Sequence, residues 1–286
     1  MGEETHEDPG PEVDRKDLRQ LLLGSLAPGT VAWSHVVQDV RPEVDGRWRL
    51  DINDQAPVIA DLLVGADGIG SKVRQRLTSV RPVYTGVNMI AANIRKDLRR
   101  GSEIDKVLGE GSVMFAGGGK TVFTQRCNHG LILLYFSLNV AEGWPKTAGF
   151  TLDTKAAVLA AIFEAYRDWS PELMGMLTQV EDNFHLWPNS VLPPDHRWET
   201  QPGLTMLGDA SHVVPPYTGK GVNLAMLDAL ELADTLTSGS AGDVTTAVAA
   251  SEARMQKRTS QETGACLAIG RQMYGFDLDF SALASA

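Results

Sequence analysis

The sequence predicts an α/β protein whose ligand-binding layer is split by an inserted, mostly antiparallel β-sheet and closed by C-terminal helices. Three observations carry that reading. The run from Leu204 to Ala229 reads as a buried strand, a polar turn, a Gly/Pro loop and a long helix. Residues 58–77 repeat the strand–turn–helix order around Asp67-Gly68. Between them, from 82 to 140, strand-type runs follow one another without long helical stretches.

The elements follow in order. Residues 1–12 are acidic, contain Pro and Gly, lack periodicity and are expected to be disordered. Asp14 to Leu26 predicts a helix with Leu18, Leu21, Leu22 and Leu26 on one face. Strands are expected at Val31–Val37, Arg47–Ile52 and Val58–Val64, with a hairpin turn near Val44-Asp45-Gly46. The last run is apolar enough for a buried parallel strand. Ser71–Leu77 predicts a short helix with Ser71 near its N-cap.

The inserted sheet is expected from Val83–Ile94, Ser112–Phe115, Lys120–Gln125 and Leu131–Leu138, with a hairpin at Gly117-Gly118-Gly119. Asp153–Tyr166 predicts a helix behind a Thr/Asp cap, Pro171 starts a shorter one, and Phe184–Pro188 returns as a strand. After the strand at Leu204–Leu207, helices are expected to about Leu236 and over Val244–Gly270. The domain reading is 13–80 plus 200–240 for the split layer, 82–199 for the insert, and 241–286 for a last helix and tail.

Bulk properties narrow the function. With 286 residues, 43% hydrophobic, the chain can build one large core or two smaller ones. A net charge of −10 argues against nucleic acid or an anionic membrane as partner. Two cysteines make neither a disulfide framework nor a metal cluster, and no apolar run reaches membrane-spanning length, so a cytoplasmic protein is expected. The six histidines show no metal-ligand spacing. Gly119-Lys120-Thr121 is not a phosphate loop, because Met114 occupies the position of its first glycine.

The chemistry concentrates at the strand–loop–helix junctions. The first turn of a helix has unpaired N–H groups and a positive dipole end, so Gly219, Gly221, Val222 and Asn223 can meet an anionic or electron-rich group. Asp209, past the strand end, can accept a hydroxyl. Gly208-Asp209-Ala-Ser-His-Val-Val-Pro-Pro216-Tyr-Thr-Gly219-Lys-Gly221-Val-Asn223, followed by Asp228-Ala229, resembles the GD motif of FAD-dependent aromatic-hydroxylase-type (class A flavoprotein) monooxygenases. Gly65-Ala-Asp67-Gly68-Ile-Gly-Ser71-Lys-Val-Arg74 resembles their DG motif, and the segment from Asp14 to Leu22 resembles their arginine helix. The likeness covers residues 12–240 and looks nearest to the tetracycline-inactivating branch, although Ile90, Ser112 and Leu133 stand where polar groups for tetracycline would be expected.

The resemblance implies a Rossmann-like FAD-binding domain and hydroxylation of an aromatic or polycyclic small molecule through a flavin C4a-hydroperoxide, with NADPH or NADH and oxygen as co-substrates. It implies that Asp209 holds the ribityl or ribose region and that Gly219, Gly221, Val222 and Asn223 approach the flavin pyrimidine edge. Pro216 would lie near the reactive edge, Arg15 and Arg19 would contact the cofactor, and Asp67 and Gly68 would lie near the pyrophosphate. No acid–base residue is implied, because the protein's part is positioning and water exclusion. Apolar residues of the insert, among them Val113, Phe115, Phe123, Leu133 and Tyr135, are expected to suit such a substrate. The family's opening G-x-G-x-x-G unit does not precede Arg15, so the resemblance implies an N-terminally truncated chain with open sheet edges. A non-catalytic remnant that binds FAD weakly or only with a partner is the alternative, as is a reductase or halogenase of the same superfamily.

Overall fold

The computed structural model describes residues 13–94, 112–127, 130–239 and 242–280; the stretch 1–12, expected to be disordered, lies outside them. Helix α1 (Arg15–Gly24) forms where the leucine periodicity predicts it, yet none of its residues is buried, and Leu21 is 70% exposed. The strand expected at Val31–Val37 does not form. Ser34 takes a φ of +62°, which breaks extended backbone, and β1 begins only at Val37 and runs to Pro42. It pairs antiparallel with β2 (Trp48–Ile52) across the expected turn, and β2 pairs with β3 (Val58–Ala60).

The run expected as one buried strand over Val58–Val64 is two strands in two sheets. β3 stays in the small antiparallel sheet and is largely exposed, whereas β4 (Leu63–Gly65) pairs in parallel with a strand far along the chain. A short apolar run does not reveal its pairing partner, so the split at exposed Asp61 was invisible in the pattern. The helix expected over Ser71–Leu77 is a single turn, α2 (Arg74–Leu77), preceded by Val73; Ser71 Oγ still accepts the Arg74 amide at 2.9 Å.

The insert is a five-stranded antiparallel sheet in the order β6-β7-β8-β5-β9, with β5 at Val83–Ile94, β6 at Val113–Gly117, β7 at Lys120–Arg126, β8 at Ile132–Asn139 and β9 at His185–Val191. Alternation sends the side chains of each strand to opposite faces. On one face, Ile90, Val122, Leu134 and Phe136 pack under the short helix α3 (Trp144–Thr147), α4 (Lys155–Ala165) and α5 (Pro171–Met174), with Val158, Ile162 and Tyr166 completing this core. Thr154 precedes α4 without a side-chain cap, contrary to the expected Thr/Asp cap, whereas Ser170 caps α5 by accepting the Leu173 amide.

The opposite face is only half covered. Strand β10 (Leu204–Met206), fully buried, pairs with β4 and leads to α6 (Gly221–Thr237) and then α7 (Val244–Tyr274). Asp243 caps α7 by accepting the Thr246 amide at 2.9 Å, and Gly275 ends it in the left-handed region. The end of α7 lies on the sheet, where Leu267, Tyr274 and Phe276 bury Val87 and Val191. Among the described residues no helix is long and apolar enough to cross a membrane.

Gly270 marks the tightest point of that contact. A Cβ there would lie 2.5 Å from Tyr217 Cε2 and 2.6 Å from Phe276 Cζ. Alanine would gain about 1 kcal/mol of helix propensity, but neither ring can move freely within the packed cluster, and overpacking costs about 1–3 kcal/mol. Gly270→Ala should therefore lower the urea midpoint, and an unchanged or raised midpoint would show that the rings yield.

Candidate cofactor and substrate site

The site is built on the turn after β10. Gly208 adopts φ +57°, and its carbonyl accepts the Ser211 and His212 amides at 2.8 and 2.9 Å, closing a tight turn. An added Cβ would meet Ala225 Cβ at 3.0 Å, so α6 packs directly on this glycine. The turn leaves Asp209 exposed, and its carboxylate makes no hydrogen bond to a described residue. A carboxylate in that position is available to a ligand hydroxyl.

Buried groups hold the turn from behind. Asp228 Oδ2 accepts the Gly208 amide at 3.1 Å and the His212 Nε2 proton at 2.5 Å. Its Oδ1 accepts from Arg258 Nη2 at 2.7 Å, and Arg258 also reaches Glu231 at 2.9 Å. Burial pushes the Asp228 carboxyl up, but the His212 hydrogen bond and charge, with those of Arg258 and the Gly208 amide, outweigh it and hold the pKa below the ordinary carboxylate value.

Arg74 binds the two loop regions together. Its guanidinium, only 2% exposed, donates to Ala210 O at 3.0 Å, to Asp209 O at 3.3 Å and to Ile69 O. The turn after β4 is thereby tied to the turn after β10 through carbonyl groups. Burial and the neighbouring Arg81 lower the Arg74 pKa, and Asp67 opposes them. Asp67 is exposed, and its carboxylate accepts the Lys72 amide at 2.8 Å; Gly68 takes φ +75°.

Beyond His212 the loop Pro215–Thr218 ends in Gly219 at φ +67°, with no heavy atom near the position its Cβ would take. Helix α6 then starts without a side-chain cap. The first amides of a helix lack intrahelical partners, and Pro216, Gly219, Val222 and Asn223 are all exposed. These residues fit a flat, electron-rich ring edge: open backbone, an uncapped positive helix end and a stiff Pro-Pro approach.

Tyr217 fixes this loop to the inserted sheet. Its hydroxyl lies 3.3 Å from Asn189 Nδ2 on β9 and 3.4 Å from Thr85 Oγ1 on β5, and its ring packs on Tyr274 at 5.2 Å. Asn189, two residues beyond Trp187 on β9, shares its sheet face. The remainder of that face bears Met89, Ala91, Phe123, Leu133, Tyr135 and Trp187. Two residues expected there are not: Val113 and Phe115 pair with Thr124 and Val122 and point to the opposite face, where Phe115 packs on the core. A strand's register decides that, and a one-residue difference reverses the face.

Comparison with known proteins agrees with this geometry. A family described as FAD binding domain matches residues 196–257, the segment with the Gly208-Asp209 turn and the uncapped helix start. Monooxygenase penA of Penicillium thymicola is 27% identical over 271 residues, covering 79% of this chain and 62% of that protein. The 3-amino-4-hydroxybenzoate 2-monooxygenase PtmB3 of Streptomyces platensis is 30% identical over 225 residues, covering 78% and 54%. HpxO of Klebsiella pneumoniae, solved with FAD and uric acid, superposes with a TM-score of 0.75 at 19% identity over 96% of this chain and 66% of that one.

The chain has the fold of the FAD-binding class A flavoprotein monooxygenases. It is related broadly to their aromatic and polycyclic hydroxylases and spans 62% and 54% of the two relatives named above. The tetracycline-inactivating branch does not stand out as nearest: tetracycline destructase Tet(51) superposes with a TM-score of 0.65 at 18% identity, below HpxO.

Within this class A fold the structure brings Asp209, Pro216, Gly219, Gly221, Val222 and Asn223 onto one loop and helix start, with Asp67 and Gly68 on the turn tied to it by Arg74. Arg15, exposed on α1, carries a charge that opposes the burial and the Cys127 interaction raising the Tyr135 pKa. Arg19 lies over the Trp33 ring at 5.7 Å, a cation–π contact on the exposed helix. Arg74, Asp228 and His212 stood inside the quoted motifs but carried no assigned role. Tyr217 likewise stood in the quoted motif without a role, and Arg258 was missed, because their partners lie 27 residues away or more in the chain.

Proposed function

We propose that the protein works as a FAD-dependent monooxygenase that hydroxylates an aromatic or polycyclic small molecule, with NADPH or NADH as reductant. The observation that carries this reading is the landing of the candidate flavin loop, through Tyr217, on the sheet face that bears the open aromatic residues. A ring bound against Pro216 and the start of α6 would have its substrate confined between that loop and the sheet.

Asp209 would hold the sugar-like part of FAD, and the amides of Gly221, Val222 and Asn223 would receive the pyrimidine edge. Arg15, Arg19, Asp67 and Gly68 are proposed contacts to the rest of the cofactor. When bound, FAD supplies the redox and oxygen chemistry. The chain's own residues orient the ring, present a positive helix end to developing negative charge, and exclude water from the sheet face.

The test is flavin retention in the purified protein, read from its visible absorbance, together with FAD-dependent NADPH oxidation. Asp209→Ala should weaken FAD binding about tenfold, the loss of one hydrogen bond to a charged group. Unchanged flavin occupancy would remove Asp209 from the site.

A second reading is favoured by one specific observation. Helix α1 buries none of its residues and β4–β10 is a two-stranded parallel sheet, an arrangement that ordinarily is covered on both faces. In that reading the chain binds FAD weakly or only together with a partner polypeptide. Protein that stays colourless after FAD is added would support it against independent activity.

A further inference from the structure

Four rings form a continuous row on the uncovered part of the sheet face. Phe123 on β7 stacks on Tyr135 of β8 with centroids 6.0 Å apart and 22° between planes. Tyr135 meets Trp187 of β9 at 6.0 Å, and Trp187 stacks on His185 at 6.4 Å and 9°. Strand β5 lies between β8 and β9, and Ala91 occupies the position opposite Tyr135. Its methyl is too small to separate the rings, so they close over it.

The row is open. Trp187 is 46% exposed, and Met114, opposite Phe123 on β6, is 49% exposed at the far end. Cross-strand aromatic pairs stabilise sheets, but packing alone does not require a large indole to stand half in water. Among the described strand positions that share the face, from Met114 through Thr121, Gln125, Ser137, Asn139 and Asn93 to Asn189, none is Lys, Arg, Asp or Glu; charge reaches it from outside the strands, through Arg15 near Tyr135 and the Glu181 carboxylate that accepts from Asn93.

We infer that the Phe123–Tyr135–Trp187–His185 row is the substrate wall, and that it selects a planar compound of two or more fused rings over a single ring. The inference rests on the monooxygenase reading for its substrate role. It follows from the spacing. One ring can satisfy a single 6.0 Å step of the row, whereas a fused system bridges successive steps and collects a ring contact at each.

The experiment is equilibrium binding to the full chain of acridone, a neutral tricycle, and of phenol, with flavin content measured in the same samples. Acridone should bind at least about tenfold more tightly than phenol, the gain of two ring contacts. Trp187→Ala should remove that preference and Trp187→Phe should restore most of it, with the urea midpoint showing that each variant folds. Equal binding of phenol and acridone, or an unchanged preference in Trp187→Ala, would overturn the row's role. Flavin-free protein that still shows the ring preference would keep the row as an aromatic-binding wall and sink the monooxygenase reading. Flavin-loaded protein without the preference would overturn the row alone.

Discussion

Replacing Asp228 with alanine should destabilise the protein by about 3–5 kcal/mol, the cost of removing one partner from a buried ion pair. The carboxylate, 2% exposed, is the common acceptor for the Gly208 amide, the His212 ring and the Arg258 guanidinium. Alanine would strand all three at once. Arg258 is partly exposed and keeps Glu231, so its loss is softened. The Gly208 amide and His212 have no such relief, and they shape the turn that presents Asp209. Asp228→Asn keeps the volume and one acceptor oxygen, so it should cost less. Chemical denaturation gives the stability change, and flavin retention at a temperature where the variant remains folded reports the turn. A loss below about 1 kcal/mol for Asp228→Ala, the worth of an exposed pair, would show that water replaces the carboxylate at no great cost.

A second large effect concerns acid. His196 is 8% exposed, and neither of its ring nitrogens has a hydrogen-bond partner among the described residues. Burial, with repulsion from Arg74 and Arg197 outweighing attraction to Asp195, pushes its pKa down to about 4 from 6.5. The unfolded chain therefore binds this proton more readily than the folded one. The stability contributed by neutral His196 is fully present above pH 6.5 and is lost as pH falls through the interval down to about 4. A shift of that size corresponds to roughly 2–3 kcal/mol between pH 7 and pH 4.5. The ring packs on Trp198 at 5.4 Å beside the turn residues Ser211 and His212, so His196→Gln keeps much of the volume without the titration. The stability difference between wild type and His196→Gln, measured by urea unfolding at both pH values, should shift against the wild type at the lower one. A pH-independent difference would mean that His196 titrates alike in both states.

Much of the architecture was legible along the chain, and the exceptions share a cause. Alternation and turn residues located β5, β7, β8 and the Gly117–Gly119 hairpin, and Ser71 and Pro171 located the two short helices. These are local signals. The errors fell where a neighbour decides the outcome. Val58–Val64 changes sheets because β4 finds β10, about 140 residues later. The leucines of α1 have the spacing of a buried face but no described surface against them. Val113 and Phe115 have the composition of the open face and the register of the closed one.

By itself the sequence determined the Gly208-Asp209 turn, the Gly/Pro loop through Gly219 and the helix that follows it, because backbone conformation and helix-end chemistry depend on a few adjacent residues. What covers that turn was decided only in three dimensions. Asp228 reaches Arg258 from another helix, Arg74 ties two loops through carbonyl groups that any residue could supply, and Tyr217 finds Asn189 and Thr85 across the sheet. The aromatic row likewise exists only because three strands bring Phe123, Tyr135 and Trp187 into register across the small Ala91. Hydrogen bonds and ring contacts act over a few ångströms of space, and chain separation carries no trace of them.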